Sequence, residues 1–220
     1  MLHLGSIRGT SIDVDLSFVL LMLLFIASAY DPGQGIEYAL LWAPILFLSV
    51  LVHELAHASA IGLFGYGPSH IVLGGIGGLT INSRRSQPWH DMIISAAGPL
   101  ASFAIWWVTR WVMNTYPIQD RMLIALLPRL AWANLVWGFF NLIPVPPLDG
   151  GSVVRNFLRL FLSDRTSFVI TTWVAMISAA VVIVLCIRVR QYFVVLMMAY
   201  YLYANWQKWE YFRTHGTPGD

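Results

Sequence analysis

The sequence predicts an all-α membrane protein of about six transmembrane helices, with a short membrane-associated β-hairpin or edge strand between helices 2 and 3. Of the 220 residues, 58% are hydrophobic and only 11% are charged, whereas soluble domains carry roughly 25% charged residues. The apolar residues also stand in long blocks, and a transmembrane helix needs about 20 of them in succession. The formal net charge of +2 is too small to indicate a nucleic-acid partner.

Six apolar stretches are the candidate spans. The first and the last are short for a span, so they would have to sit shallow in the membrane or include flanking residues. No internal repeat and no polar linker divides the chain, and we therefore expect a single domain over residues 1–220. The stretches run over residues 16–30, 38–64, 92–113, 122–143, 168–187 and 192–206.

The orientation follows from the positive charges in the loops. With six spans, both termini share one side of the membrane, and most of the 13 lysines and arginines fall on that side. Cytoplasmic loops of membrane proteins carry such an excess of positive charge. We therefore expect a multi-pass protein with both termini in the cytoplasm.

Two segments between the spans cannot be membrane helices. Residues 71–81 read IVLGGIGGLTI, where β-branched residues flank two glycine pairs and predict a hairpin or edge strand. Residues 141–151 read NLIPVPPLDGG, and the three prolines prevent a continuous helix. Irregular backbone at membrane depth is tolerated where protein buries it or where it lines a water-filled cavity. The second segment therefore indicates a site.

The second span contains the sequence His53-Glu54-Leu55-Ala56-His57. On a helix, residues four apart share a face, so His53 and His57 can bind one metal ion together. Glu54 can reach a metal-bound water as a general base. A pair of satisfied core histidines is the plain alternative, but ionisable residues inside a membrane are costly and mark function. The spacing predicts a zinc-hydrolase site.

A catalytic zinc ion usually has three protein ligands, so one more must come from elsewhere. No glutamate lies between Glu54 and Glu210, and the other aspartates are expected in solvated loops or at a helix start. Asp149 lies in the proline-broken segment with an apolar approach, and we predict that it is the third ligand. Asn141 could hydrogen-bond a developing oxyanion or simply bond interhelical backbone, and the sequence leaves both interpretations open.

The span order supports this assignment. His57 lies near the end of the second span, and the fourth span runs the other way and leaves the membrane close to Asn141 and Asp149. Both halves of the site are therefore expected at one depth, in the cytoplasmic leaflet.

These motifs resemble the site-2 proteases, which are intramembrane zinc metalloproteases. The resemblance rests on HELAH at residues 53–57 and NLIPVPPLDGG at residues 141–151, with softer matches at residues 74–76 and 97–100. It implies one zinc ion held by His53, His57 and Asp149, with Glu54 as base and Asn141 in a transition-state role. It also implies hydrolysis in or near the transmembrane helix of a single-span substrate, often after a first cut by another protease. We expect no accessory PDZ or cystathionine-synthase-type domain.

The resemblance suggests a hypothesis for the glycine-rich segment at residues 71–81, which is that it binds the substrate. A membrane helix must unwind before its peptide bond can enter a protease cleft, and an exposed edge can pair with the unwound stretch by strand addition. The candidate substrate-binding residues are Gly74, Gly75, Leu79, Thr80 and Ile81. The glycines could instead serve only close packing, and both interpretations stay open.

Two other classes of function compete with a protease. A catalytically silent scaffold that binds helices would not need four costly polar groups at His53, Glu54, His57 and Asp149. A metal transporter would need a polar path across the bilayer, and residues 39–52 contain no ionisable side chain. The single cysteine, Cys186, excludes an intrachain disulfide and a cysteine metal cluster. Substrate and membrane lipid are the expected partners.

Overall fold

The computed structural model describes residues 1–7, 9–75, 77–82 and 87–215. Outside these ranges lie Ile76, which belongs to the match at residues 74–76, and three of the arginines that were counted for the orientation, Arg8, Arg84 and Arg85. The strands of the described part are β1 (Leu2–Ile7), β2 (Thr10–Val14), β3 (Ser69–Gly74) and β4 (Gly77–Asn82). The helices are α1 (Leu16–Ala29), α2 (Ile36–Leu40), α3 (Trp42–Leu63), α4 (Pro88–Thr115), α5 (Arg121–Asn141), α6 (Asp149–Arg159), α7 (Asp164–Arg188) and α8 (Tyr192–His215).

Four helical stretches of the described chain are long and apolar enough to cross a membrane. They are residues Ile36–Leu63, Pro88–Thr115, Arg121–Asn141 and Asp164–Arg188, and each overlaps a predicted span. Helix α1 is apolar but has only 14 residues, as its short apolar stretch predicted, and α8 is not among the four. The membrane character of the protein is confirmed, and the count of six spans stays a prediction.

The chain forms two compact units, one of residues Met1–Ser86 and Ala97–Phe139, the other of Gln87–Ala96 and Phe140–Asp220. The first unit contains a four-stranded sheet in the order β1-β2-β3-β4. β1 and β2 are antiparallel, β2 and β3 are parallel, and β3 and β4 are antiparallel. The hairpin predicted from residues 71–81 is confirmed, whereas strands β1 and β2 were not predicted from the sequence.

The core of the first unit explains why β2 and β3 form. Along β2 and β3 the residues alternate between buried and partly exposed, which is the period of a strand with one face covered. The covered face packs against α1 and α3, and its cluster comprises Ile12, Val14, Phe18, Leu21, Val50, Ala58, Ile71 and Leu73. The sheet is therefore fixed to the helix that carries the HELAH motif.

The second unit is built on the pair α7 and α8. Its buried cluster comprises Val145, Leu148, Ala175, Ala179, Met198 and Tyr201. Val145 and Leu148 belong to the proline-broken segment, so this segment is covered by helices as expected for irregular backbone at membrane depth. The side-chain amide of Asn205 donates to the backbone oxygen of Pro146 at 2.8 Å, which holds the segment in place.

The glycine pair after Asp149 is required by packing. A Cβ at Gly150 would lie 2.6 Å from the backbone oxygen of Ile143, and one at Gly151 would lie 2.7 Å from Cγ of Pro146. Atoms do not approach so closely, so only glycine allows the first turn of α6 to fold back against this segment. Asp149 is the first residue of this helix. Helix α6 is amphipathic and was not predicted from the sequence.

Candidate metal centre

Helix α3 carries the two predicted histidine ligands on one buried face. The side chains of His53 and His57 are 2% and 6% exposed, and their ring centroids lie 4.9 Å apart. They are one helical turn apart, and the helical spacing alone brings the two imidazoles together. Both imidazole rings are buried on an apolar helix, so water does not hydrate them.

Gly98 on α4 shows that the two imidazoles converge on one point. A Cβ at this glycine would collide with the Nε2 atoms of both His53 and His57, the first at 2.5 Å. The helix backbone therefore comes close enough to touch the two rings only because residue 98 has no side chain. Two nitrogen atoms facing one small volume fit the ligand set of a zinc ion.

The other ring nitrogen of His53 has a polar partner. Nδ1 of His53 lies 3.1 Å from Oγ of Ser102, and Ser102 is fully buried. With a metal on Nε2, Nδ1 would carry the proton, and its N–H would donate a hydrogen bond to the hydroxyl oxygen. Ser102 lies one helical turn after Gly98, so a single face of α4 supports the histidine pair.

Glu54 is buried beside β4. The side chain is 4% exposed, and Thr80 Oγ1 donates to Glu54 Oε2 at 2.7 Å. Thr80 Oγ1 also lies 3.3 Å from the backbone oxygen of Glu54. Gly78 contacts the Glu54 side chain so closely that a Cβ there would overlap the carboxylate. β4 therefore orients the predicted base.

The described residues include one group that could hold a metal ion with three His, Cys, Asp or Glu ligands. It consists of His53, His57 and Asp149, and their ligand atoms all lie within 4.8 Å of one another. Asp149 begins α6. Asn141 is the last residue of α5 and is 8% exposed. These are the three residues that the sequence predicts as metal ligands, and their role as ligands stays a prediction.

The predicted substrate-binding residues lie on β3, the turn and β4. β4 pairs with β3 on one side and is an edge strand of the sheet among the described residues. Leu79 and Ile81 are 56% and 48% exposed, while Thr80 is turned toward Glu54.

The glycines of this segment meet close packing at specific positions. A Cβ at Gly75 would lie 2.9 Å from the backbone oxygen of Ser17, and Gly77 has a φ of +124° with Trp137 at 3.0 Å from its Cβ position. Gly75, Gly77 and Gly78 are therefore closely packed, and a role of this segment in substrate binding stays a prediction. A Cβ at Gly74 would make only ordinary contacts. These glycine contacts do not affect the position of β4 at the edge of the sheet.

The supporting roles of three residues were not predicted from the sequence. The role of Ser102, the contact of Gly98 with both rings and the hydrogen bond from Thr80 depend on which elements pack against α3. The local signals were the Gly98-Pro99 pair inside an apolar helix and a serine one turn later, which by themselves specify no partner.

An apolar helix with a buried histidine pair and glutamate, packed on a small sheet, defines a membrane metallopeptidase fold. The sequence profile of the Peptidase M50B-like family matches residues 16–144, which is more than half of the chain, and that of Peptidase family M50 matches residues 111–185. The chain therefore belongs to the site-2 protease family of M50 peptidases.

Two similar proteins illustrate the relationship. The chain is 32% identical to a zinc metalloprotease of Methanocaldococcus jannaschii over 174 residues, which is 79% of this chain and 49% of that protein. The solved structure of a site-2 protease from Methanocaldococcus jannaschii superposes with a TM-score of 0.69 at 26% identity, covering 94% of each chain. The chain spans about half or less of the length of the curated relatives it matches.

Proposed function

We propose that this protein is an intramembrane zinc metalloprotease that hydrolyses a peptide bond within or near the transmembrane helix of a membrane-protein substrate. The observation that carries the proposal is the buried face of α3, where Glu54 stands between two histidines whose Nε2 atoms converge on Gly98. Membership of the M50 family and the metal-binding group of His53, His57 and Asp149 support it.

In this proposal His53, His57 and Asp149 would hold the ion, and a catalytic zinc with three protein ligands would keep a further position for water or substrate. Zinc, when bound, polarises the carbonyl of the scissile bond and makes a water molecule acidic enough to be deprotonated. Glu54 accepts the proton of the attacking water and delivers it to the leaving amine. Thr80 holds the carboxylate in one orientation for both transfers, since it donates to Oε2.

Asn141 takes the transition-state role that the family resemblance implies. A primary amide donates hydrogen bonds, and a donor aimed at the developing oxyanion stabilises it. The side chain is buried at the end of α5, so a hydrogen bond from it would not be weakened by water. The substrate is proposed to be a single-span protein already cut once by another protease, with cleavage in the cytoplasmic leaflet and both termini cytoplasmic.

The edge strand β4 is proposed to bind the unwound part of the substrate by strand addition. Two features support this proposal, the position of β4 at the edge of the sheet and the contact of Thr80 with Glu54. A substrate strand paired along β4 would lie beside the residue that orients the base. The apolar side chains of Leu79 and Ile81 are exposed on the same strand.

The test is a cleavage assay in liposomes with a panel of single-span substrates, with zinc measured in each preparation. Glu54→Gln should abolish cleavage and keep its zinc, because it removes the base and no ligand. Glu37→Gln is the matched control, since Glu37 is exposed on α2, and it should cleave like wild type. Equal cleavage by wild type and Glu54→Gln would refute the proposed mechanism. A chain that holds zinc and binds substrate without cleaving it would favour the scaffold function.

The strand proposal is tested in the same assay. Ile81→Pro should impair cleavage at normal zinc content, because proline disrupts the strand that forms the edge of the sheet. Val72 on the neighbouring inner strand is paired with Leu79, and Val72→Ala should leave cleavage near the wild-type rate. Full cleavage by Ile81→Pro would exclude pairing through that part of β4.

A further inference from the structure

The second unit carries a cluster of positive charges that the proposed protease mechanism does not use. It consists of Arg155 on α6, Arg165 in the first turn of α7 and Lys208 on α8. All three residues are exposed. In the part of the chain that the structure describes, none of them forms an ion pair with a carboxylate.

Two aromatic rings underlie this basic cluster. The guanidinium carbon of Arg155 lies 5.7 Å from the ring centroid of Phe168, and that of Arg165 lies 5.7 Å from the ring centroid of Phe212. The two rings are adjacent, with centroids 5.0 Å apart. An arginine laid on an aromatic face keeps its charge and is held in one plane, with its N–H groups directed outward. The cluster is thus a fixed cationic surface.

Lys208 completes the cluster. It lies one helical turn before Phe212 on α8, so the two side chains share a face. Partial removal from water lowers the pKa of Lys208, and the positive charge of Arg155 lowers it further. The two like charges repel each other, and a bound anion would relieve the repulsion.

The acidic residues of this region are engaged elsewhere. Asp164 accepts from Nε of Arg159 at 2.5 Å, and Glu210 accepts from Arg213 at 2.7 Å. The negative charges next to the cluster are therefore compensated by other arginines. No carboxylate of the described residues forms an ion pair with the cluster, so its positive charge can attract an anion from another molecule.

The surroundings of the cluster place it at a membrane surface. Arg165 lies at the start of α7, which is apolar enough to span the membrane. Helix α6 ends beside large exposed apolar side chains, with Phe157 51% and Phe161 73% exposed. An amphipathic helix with exposed aromatic residues next to cations lies typically at the boundary of headgroups and acyl chains.

We propose that Arg155, Arg165 and Lys208 bind the phosphate of an anionic phospholipid headgroup at the membrane end of α7, with the exposed side chains of α6 against its acyl chains. Guanidinium groups match the geometry of phosphate oxygens and bind them with two hydrogen bonds each. An acidic polypeptide would satisfy the charges but would leave Phe157 and Phe161 in contact with water. The lipid satisfies both the charge and the apolar surface.

The test is native mass spectrometry of the full chain in detergent, titrated with phosphatidylglycerol and with phosphatidylcholine of the same acyl chains. Each cation near an anionic lipid surface contributes roughly fivefold in affinity. Wild type should therefore prefer phosphatidylglycerol by at least about tenfold. The triple variant Arg155→Gln/Arg165→Gln/Lys208→Gln should lose this preference. A triple variant with the wild-type preference would overturn the proposal.

The matched control is Arg121→Gln/Arg188→Gln/Arg190→Gln, which removes three exposed arginines outside the cluster. It should keep the wild-type preference for phosphatidylglycerol. Two competitors identify the source of the phosphate. Inorganic phosphate bound as tightly as phosphatidylglycerol would show a site for a soluble anion, and polyglutamate bound more tightly would show a surface for acidic polypeptide. Either result would overturn the lipid assignment, and weak binding of both supports it.

A single substitution protects the test against misfolding of the triple variant. Arg165 is exposed in the first turn of α7, and Arg165→Gln removes one cation without opening a cavity. Its affinity for phosphatidylglycerol should fall roughly fivefold, while its melting temperature in phosphatidylcholine should equal that of wild type. An unchanged affinity would again overturn the proposal.

Discussion

Removal of the Ser102 hydroxyl tests whether α4 positions the histidine pair. In Ser102→Ala the Nδ1–H group of His53 loses the acceptor at 3.1 Å, in a place where Ser102 is 0% exposed and water has no direct access. Loss of an outer hydrogen-bond partner of a metal ligand typically weakens metal binding by about 10–100-fold, which corresponds to about 1.4–2.7 kcal/mol.

The assay is a zinc competition titration of the purified chain against a chelator of known affinity. We expect the zinc Kd of Ser102→Ala to rise by roughly 10–100-fold. Ser167 is a matched control, since it is also 0% exposed and its hydroxyl makes no hydrogen bond among the described residues. Ser167→Ala should keep the wild-type Kd. A Kd of Ser102→Ala equal to that of wild type would refute the positioning role, whereas a wild type without zinc would refute the metal site itself.

Two further predictions concern a glycine and a carboxylate of the first unit. Gly98→Ala should lose most of its zinc, because its Cβ would collide with both imidazoles. Gly62→Ala is the control and should keep its zinc, because a Cβ there meets nothing within 4 Å. The zinc content of both purified variants is the measurement, and a wild-type content in Gly98→Ala would contradict the prediction. Hydrogen bonds from His3, at 2.7 Å, and from His70, at 2.7 Å, lower the pKa of Asp13 below its ordinary value of 3.8. The carboxylate therefore stabilises the sheet above pH 3.8, and this contribution is lost as the pH falls through the lowered pKa. A carboxyl chemical-shift titration with a midpoint at or above 3.8 would contradict this reasoning.

The helices with the strongest local signal were the ones that the sequence predicted best. Helix α3 extends over Trp42–Leu63, within a stretch predicted over residues 38–64, because a long apolar run determines a membrane helix without help from the rest of the chain. Helix α6 was missed because its 11 residues follow three prolines and become a helix only after the glycine pair packs against the segment before it. β1 and β2 were missed because the formation of a short strand depends on its partner strand. The partner of β2 on one side is β3, where Ser11 pairs with His70.

The sequence by itself determined the chemistry of the candidate centre. The spacing of His53 and His57 is converted into one shared face by the helix period, which is a local property of the backbone. The cost of ionisable groups in a membrane argued against a purely structural role for the histidines and Glu54, and the expected solvated positions of the other aspartates left Asp149 as the candidate third ligand. These inferences need no knowledge of packing.

Only the tertiary structure decided how the centre is supported. Gly98 and Ser102 reach the histidines from α4, and Thr80 reaches Glu54 from β4. These contacts join residues 26 to 49 positions apart, and their identity follows from how the helices and the sheet pack together. A sequence pattern records the period of each element, but the distance between two elements is set by the whole core, and so no local signal could specify these partners.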